Sequence, residues 1–229
     1  MYLKAIDRHD SLLNEYGTLD LVRSHTIVPV PRPIDLVSDT TGSYLLTSRL
    51  PGKPLGLCID IMIDEQMSIL VKDLVCCLKQ LRSIPKTVSP EFEITDTLGN
   101  ACHDARVNAA NEYDPERGDF IGPFATKKDF NDVLRAYHLP EVVHREGHRI
   151  VLRHGDLNMR NILIENGRFS GIVDWEMSGW YPEYWDYTKA HFITKYKWRW
   201  LKAVDEVFAE LGDYSTELEI ERKLWWYCF

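Results

Sequence analysis

The stretch from Ile150 to Glu176 constrains this chain more than any other. Three short apolar runs, Ile150 to Leu152, Ile162 to Ile164 and Ile172 to Val173, are rich in β-branched residues and too short for helices, so they read as strands. Asn166-Gly167 separates the second run from the third, and this dipeptide favours the positive φ values of a tight hairpin. Polar residues flank the unit: His154, Asp156 and Asn161 before the hairpin, Asp174 and Glu176 after it. A hairpin folds its ends together, so the two groups are expected at one place. A lone Asp, Asn or His in a loop is ordinarily a turn former or a cap. Joint occurrence on both sides of a hairpin is what points to chemistry.

Mg²⁺ is a hard cation that takes carboxylate, amide and phosphate oxygens, usually from one or two protein groups and the substrate phosphates. Asn161 and Asp174 offer such oxygens. An Asp, an Asn five residues later and a hairpin ending in a second Asp together resemble the layout of protein kinases. His-Gly-Asp156 replaces their His-Arg-Asp, and Asp174-Trp-Glu176 replaces their Asp-Phe-Gly. With those two departures the chain resembles the aminoglycoside phosphotransferase and choline kinase-like family of small-molecule kinases. The resemblance implies Asp156 as catalytic base, Asn161 and Asp174 as metal ligands, and ATP and Mg²⁺ as cofactors. It also implies an α+β, protein kinase-like fold of two lobes, the small N-lobe being short and the C-lobe mainly helical.

The 229 residues suffice for one large domain or two small lobes, and 45% apolar with 27% charged residues is an ordinary globular balance. No apolar run reaches the length of a membrane span, and the start lacks the pattern of a signal peptide. The net charge of -8 argues against general nucleic-acid binding. Five cysteines without metal-type spacing read as reduced thiols, so a cytoplasmic protein is expected, with no membrane and no nucleic acid among its partners.

In chain order, residues 1 to 5 read as the end of a strand, and Asp10 and Ser11 as caps of a helix that buries Leu12, Tyr16 and Leu19 and ends near His25. The family resemblance implies that Lys4 and Glu15 form the pair that grips the nucleotide phosphates. Pro29 to Pro33 sets an extended linker, followed by strands from Ile34 to Val37 and from Tyr44 to Arg49. The break at Pro51-Gly52 is expected to be the hinge between an N-lobe, residues 1–50, and a C-lobe, residues 51–229. Backbone groups from Ser48 to Leu50 would there hold adenine. A core helix from Asp64 to Ser83 carries Met67, Leu70, Val71, Leu74, Leu78 and Leu81. A second starts at Thr126, with Asp129 as a partial capping box.

His138, His144 and His148, near Glu141 and Glu146, invite a zinc reading but are expected to be solvated surface. Asp186 is implied by the family to bond the backbone of the catalytic loop. From Tyr187 onward two helices are expected, one to about Leu211 and one from Ser215 to the end.

The chain as a whole resembles a fungal-type member of the family, nearly continuously from Lys4 to Phe229. Members begin with two strands and a phosphate-covering loop ahead of the Lys4 strand. The chain is therefore expected to be a fragment, a shortened gene model or a natural short form with impaired nucleotide binding. Two functional readings follow: a phosphotransferase acting on a hydroxyl of a small acceptor molecule, or a catalytically weak kinase-like binding protein. Glu176 and residues 86 to 125 are suggested as the border of the acceptor pocket.

Overall fold

The computed structural model describes residues 1–40, 42–109, 114–116, 118–135, 139, 141–194 and 197–227. The chain opens with β1 (Tyr2–Ile6), α1 (His9–His25), β2 (Pro33–Asp39) and β3 (Gly42–Thr47). The strands form an antiparallel sheet in the order β1-β3-β2, pinned through the middle strand, where Ser43, Leu45 and Thr47 are buried. The predicted strand to Arg49 stops two residues earlier, at Thr47.

α1 begins at His9 with Arg8 at its cap position, so Asp10 and Ser11 are not caps. Asp10 lies in the first turn, where a carboxylate favours the helix dipole, and Ser11 is buried. The buried face of α1 mixes Leu12, Leu19 and Val22 with Ser11, Asn14, Glu15 and Thr18, while Tyr16 is only half-buried. So polar a buried face needs partners elsewhere in the chain, and these lie in the candidate site.

After Pro51-Gly52, β4 (Lys53–Pro54) leads to α2 (Asp64–Ser83), whose bounds match the predicted helix. Leu70, Leu74, Leu78 and Leu81 are buried, and the Gln66 side chain accepts the Ile63 N–H at 3.1 Å, which closes the first turn. The stretch without clear periodicity folds as β5 (Thr95–Asp96), β6 (Cys102–His103), α3 (Ala105–Ala109) and β7 (Phe120–Ile121). α4 (Lys127–Arg135) follows the capping box read from the sequence. The Asp129 N–H donates to the Thr126 hydroxyl at 3.2 Å, and the Thr126 N–H to the Asp129 carboxylate at 3.0 Å.

β8 (Ile150–Arg153), β9 (Ile162–Glu165), β10 (Arg168–Ile172) and β11 (Gly179–Pro182) complete the sheets. β9 and β10 form the hairpin, with Asn166 at φ 51° and Gly167 at φ 74°, the turn that Asn-Gly favours. β4 adds to its far side in the order β10-β9-β4, whereas β8 joins β11 and β5 in the order β5-β11-β8. The β1-β3-β2 sheet is separate from both.

Among the described residues the last part contains three α-helices rather than the predicted two: α5 (Trp185–Ile193), α6 (Trp198–Ala209) and α7 (Ser215–Leu224). The chain leaves helical geometry at Thr194 (φ -120°, ψ 89°), and the buried stripe restarts at Trp200. Unbroken aromatic density had hidden that break.

α7 also corrects the reading of the histidines. His144 and His148 are not solvated surface: His144 is buried against Glu221 at 2.8 Å, and His148 bonds Glu217 at 2.8 Å. His138 and Cys228 lie outside the described residues. Arg106 donates to Glu221 at 2.7 Å in the same interior. Although burial opposes it, the neighbouring Arg106 and His144 hold the Glu221 carboxyl down at about 2. A depressed carboxyl stabilises the fold above its unfolded value of 4.5 and loses that contribution as pH falls through about 2. Acid should therefore cost on the order of 3 kcal/mol from this group across that window. Glu221→Ala should lower stability by about 3–5 kcal/mol at neutral pH, because it removes the carboxylate that the buried Arg106 and His144 bond. Denaturant titrations from neutral to acid pH check both outcomes: stability in the variant should start lower and fall less steeply.

Candidate active site

The loop between β8 and β9 is held from several sides. Gly155 sits at φ 80°, and a Cβ there would overlap the Met177 carbonyl, so only glycine fits between His154 and Asp156. Asp186 accepts the N–H of His154 at 3.3 Å and of Gly155 at 2.9 Å. The His154 ring accepts the Asp156 N–H on Nδ1 at 3.2 Å and reaches the Val173 carbonyl from Nε2 at 3.0 Å. Those partners assign the imidazole proton to Nε2.

Asp156 is buried, and its Oδ2 accepts the Asn161 amide at 2.9 Å. The same Asn161 nitrogen also donates to the Asp156 carbonyl at 2.9 Å, which turns the amide nitrogen toward Asp156 and leaves the amide oxygen for another ligand. Arg160 approaches Asp156 only to 3.9 Å and is largely solvated. The Val173 N–H donates to the Asn161 carbonyl at 2.9 Å, so the backbone delivers Asp174 beside Asn161. Asp174 has φ 67°, a left-handed conformation uncommon outside glycine.

Lys4, on β1, meets this unit from the other sheet. Its Nζ lies 2.8 Å from Glu15 on α1, 2.5 Å from Asp174 and 2.8 Å from Glu176. Burial alone would lower the Lys4 ammonium, but Glu15, Asp174 and Glu176 outweigh it and hold it above the ordinary lysine range. Burial pushes the Glu15 carboxyl up, against the opposing pull of Lys4. Glu15 also accepts the Trp175 N–H at 3.3 Å. Glu176 is thus drawn into the lysine cluster, and Arg8 adds a contact to it at 3.7 Å while bonding Asp119 at 3.3 Å.

A cavity of about 370 Å³ opens beside this cluster, lined by Lys4, Glu15, Ser48, Leu50, Asn161 and Asp174 among others. Lys4, Glu15, Ser48, Leu50, Asn161 and Asp174, all proposed from the sequence, therefore line one cavity, and Glu176 is not among its lining. Asp156 is bonded to Asn161 from outside that lining. The Ser48 N–H is spent on the Arg32 carbonyl at 2.9 Å, and the Ser48 hydroxyl accepts the Arg32 N–H at 2.8 Å. The 48–50 segment is thereby fixed to the Pro29–Pro33 linker.

The donor set suits a hard divalent ion: a carboxylate from Asp174, an amide oxygen from Asn161 and no sulfur or imidazole. That an ammonium sits among Glu15, Asp174 and Glu176, whose carboxylate oxygens lie within 4.8 Å of one another, shows that the place attracts positive charge. Sequence reasoning missed Asn14, Thr97 and Arg8 around this centre. For Asn14 a signal existed: it precedes Glu15 and lies one turn before Thr18 on a helix whose apolar positions alone are too few to seat it.

Residues 2–220 match the family model described as the phosphotransferase enzyme family. The chain belongs to this family. An aminoglycoside 3'-phosphotransferase of Enterococcus faecalis is 26% identical over 160 residues, which is 69% of this chain and 57% of that protein. Among solved structures, a thermostable mutant of aminoglycoside phosphotransferase APH(4)-Ia in ternary complex with AMP-PNP and hygromycin B superposes with a TM-score of 0.63 at 16% identity. That alignment covers 98% of this chain and 76% of that one. APH(3'')-Id of Streptomyces rimosus, in complex with ADP and streptomycin, gives 0.59 at 20% identity over 100% of this chain and 86% of its own. The α+β, kinase-like fold of these family members is the fold of this chain. No helix among the described residues is long and apolar enough to cross a membrane.

Proposed function

We propose that this family member is an ATP- and Mg²⁺-dependent phosphotransferase acting on a hydroxyl of a small molecule. The observation that carries the reading is the meeting of Lys4, Glu15 and Asp174 at the Lys4 ammonium, 2.8 and 2.5 Å away, beside the cavity. Residues so far apart in the chain converge on one cation only if the fold is built around that point.

In this reading Lys4, held by Glu15, grips the nucleotide phosphates, and the 48–50 segment packs against the adenine. Asn161 and Asp174 hold the metal, which when bound neutralises charge developing on the transferred phosphoryl group. Asp156 accepts the acceptor's hydroxyl proton at its carboxylate, oriented by the Asn161 amide. The lobe boundary falls at residues 50–51, and the relatives crystallised with nucleotides and aminoglycosides support a nucleotide and a small-molecule acceptor as partners.

A kinase-like binder with little or no transfer is the second reading. One feature favours it: among the described residues the Lys4 strand is paired on one side only, with Tyr2 exposed at the cavity rim. Titrating an ATP analogue into the chain with and without Mg²⁺ separates the outcomes. The phosphotransferase reading expects Mg²⁺-enhanced binding and transfer to a pooled set of amino alcohols and sugars. Lys4→Met should weaken nucleotide binding about ten- to a hundredfold, the worth of one charge-assisted contact. Binding without transfer favours the second reading, and no nucleotide binding in either condition ends the phosphotransferase reading and leaves the second in its place.

A further inference from the structure

We propose that Asn14 is a positioning residue, a latch that fixes α1, and with it Glu15 and Lys4, in register with Asp174 and Asp156. Its kinetic consequence rests on the phosphotransferase reading; the latch itself does not. Asn14 is almost fully buried, and its side chain makes four bonds into the other half of the molecule. The amide nitrogen donates to the carbonyls of Glu176 at 3.1 Å and Ser178 at 2.8 Å. The amide oxygen accepts the Thr97 N–H at 3.0 Å and the Thr97 hydroxyl at 2.5 Å. Every donor and acceptor of this amide is therefore used, and no other common side chain of this length offers two donors and an acceptor in that plane.

The segment it grasps is the one that matters. Residues 174–178 start at Asp174 with its left-handed backbone, receive Glu15 through the Trp175 N–H at 3.3 Å, and pack against Gly155 through Met177. The Ser178 hydroxyl then donates to the His154 carbonyl at 3.0 Å, which reaches the loop of Asp156. Asn14 thus ties the helix that carries Glu15 to the segment that carries Asp174 and braces Asp156. A fully satisfied buried network of this kind fixes one geometry, because any slip leaves several polar groups unpaired at once. Glu15 alone would not secure the register, since its partner Lys4 has a flexible stem and competing carboxylates.

The test uses Asn14→Asp, which keeps the size and the acceptor but removes both donors, beside Leu19→Ala, which leaves a cavity on the same helix and removes no hydrogen bond to residues 174–178. Two readouts are taken: amide hydrogen exchange over residues 172–178 in the ligand-free chain, and kcat and KM for ATP at saturating Mg²⁺. Asn14→Asp should speed exchange at Asp174 to Ser178 by about tenfold or more. It should lower kcat about ten- to a hundredfold with a smaller change in KM, as misplacement of reacting groups does. Leu19→Ala should lower the melting temperature at least as far yet leave local exchange and kcat near those of the natural chain. If Asn14→Asp does not fold, Asn14→Ser, too short to bridge, takes its place under the same expectations. Equal exchange at 174–178 in the Asn14 variant and in Leu19→Ala overturns the latch. If the natural chain transfers no phosphate, the phosphotransferase reading fails, and the exchange comparison still decides the latch.

Discussion

If the proposed function holds, Asp156→Asn should remove most phosphate transfer, about a hundred- to ten-thousandfold, the usual contribution of a positioned general base. Nucleotide affinity should hardly change, because Asp156 stands behind Asn161 rather than on the cavity wall. The substitution is nearly isosteric, and the amide oxygen it introduces can still accept the Asn161 side-chain N–H, which also keeps its bond to the residue 156 carbonyl. Single-turnover transfer measured at saturating ATP and Mg²⁺ isolates the chemical step. Transfer within tenfold of the natural chain would remove Asp156 from the mechanism.

Asp174→Ala should abolish the Mg²⁺ dependence of nucleotide binding. A hard cation loses its one carboxylate ligand in the assigned pair, and the amide oxygen of Asn161 is a weak holder alone. The fold should survive, since the left-handed backbone at residue 174 costs an alanine only about 1–3 kcal/mol. Calorimetric titration of an ATP analogue, with and without Mg²⁺, reads the difference directly, and thermal melting reports the fold. Retained Mg²⁺ enhancement would shift the metal assignment to other oxygens of the cluster.

The parts of this molecule visible in the sequence were those whose partners lie close along the chain. The β9–β10 hairpin, its Asn166-Gly167 turn, the α2 stripe and the Thr126–Asp129 capping box are all local patterns, and local patterns follow period and turn chemistry. The juxtaposition of Asn161 with Asp174 was legible for the same reason, since a tight hairpin leaves its ends little choice. Lys4 and Glu15 were different: neither stands out by composition, and only the family resemblance singled them out. The polar face of α1 was legible only as a shortage of apolar positions; its partners were not, because those of Asn14 are residues 97, 176 and 178, far along the chain. Glu217 and Glu221 look like a solvated helix face until His144, Arg145, Arg106 and His148 are found around them.

The ammonium among Glu15, Asp174 and Glu176 has a consequence for the ligand-free protein. Three carboxylates so close together would repel one another and splay apart if left alone. With Lys4 between them the chain carries its own placeholder for the incoming positive charge, fixed covalently to a strand and present at full occupancy whatever the ionic composition outside. The shape of the site is therefore set before any ligand arrives. Under the proposed function, incoming phosphates and an incoming cation would find the two halves of an existing ion pair as their respective partners, so the protein would trade one set of charge contacts for another with little of its architecture rebuilt.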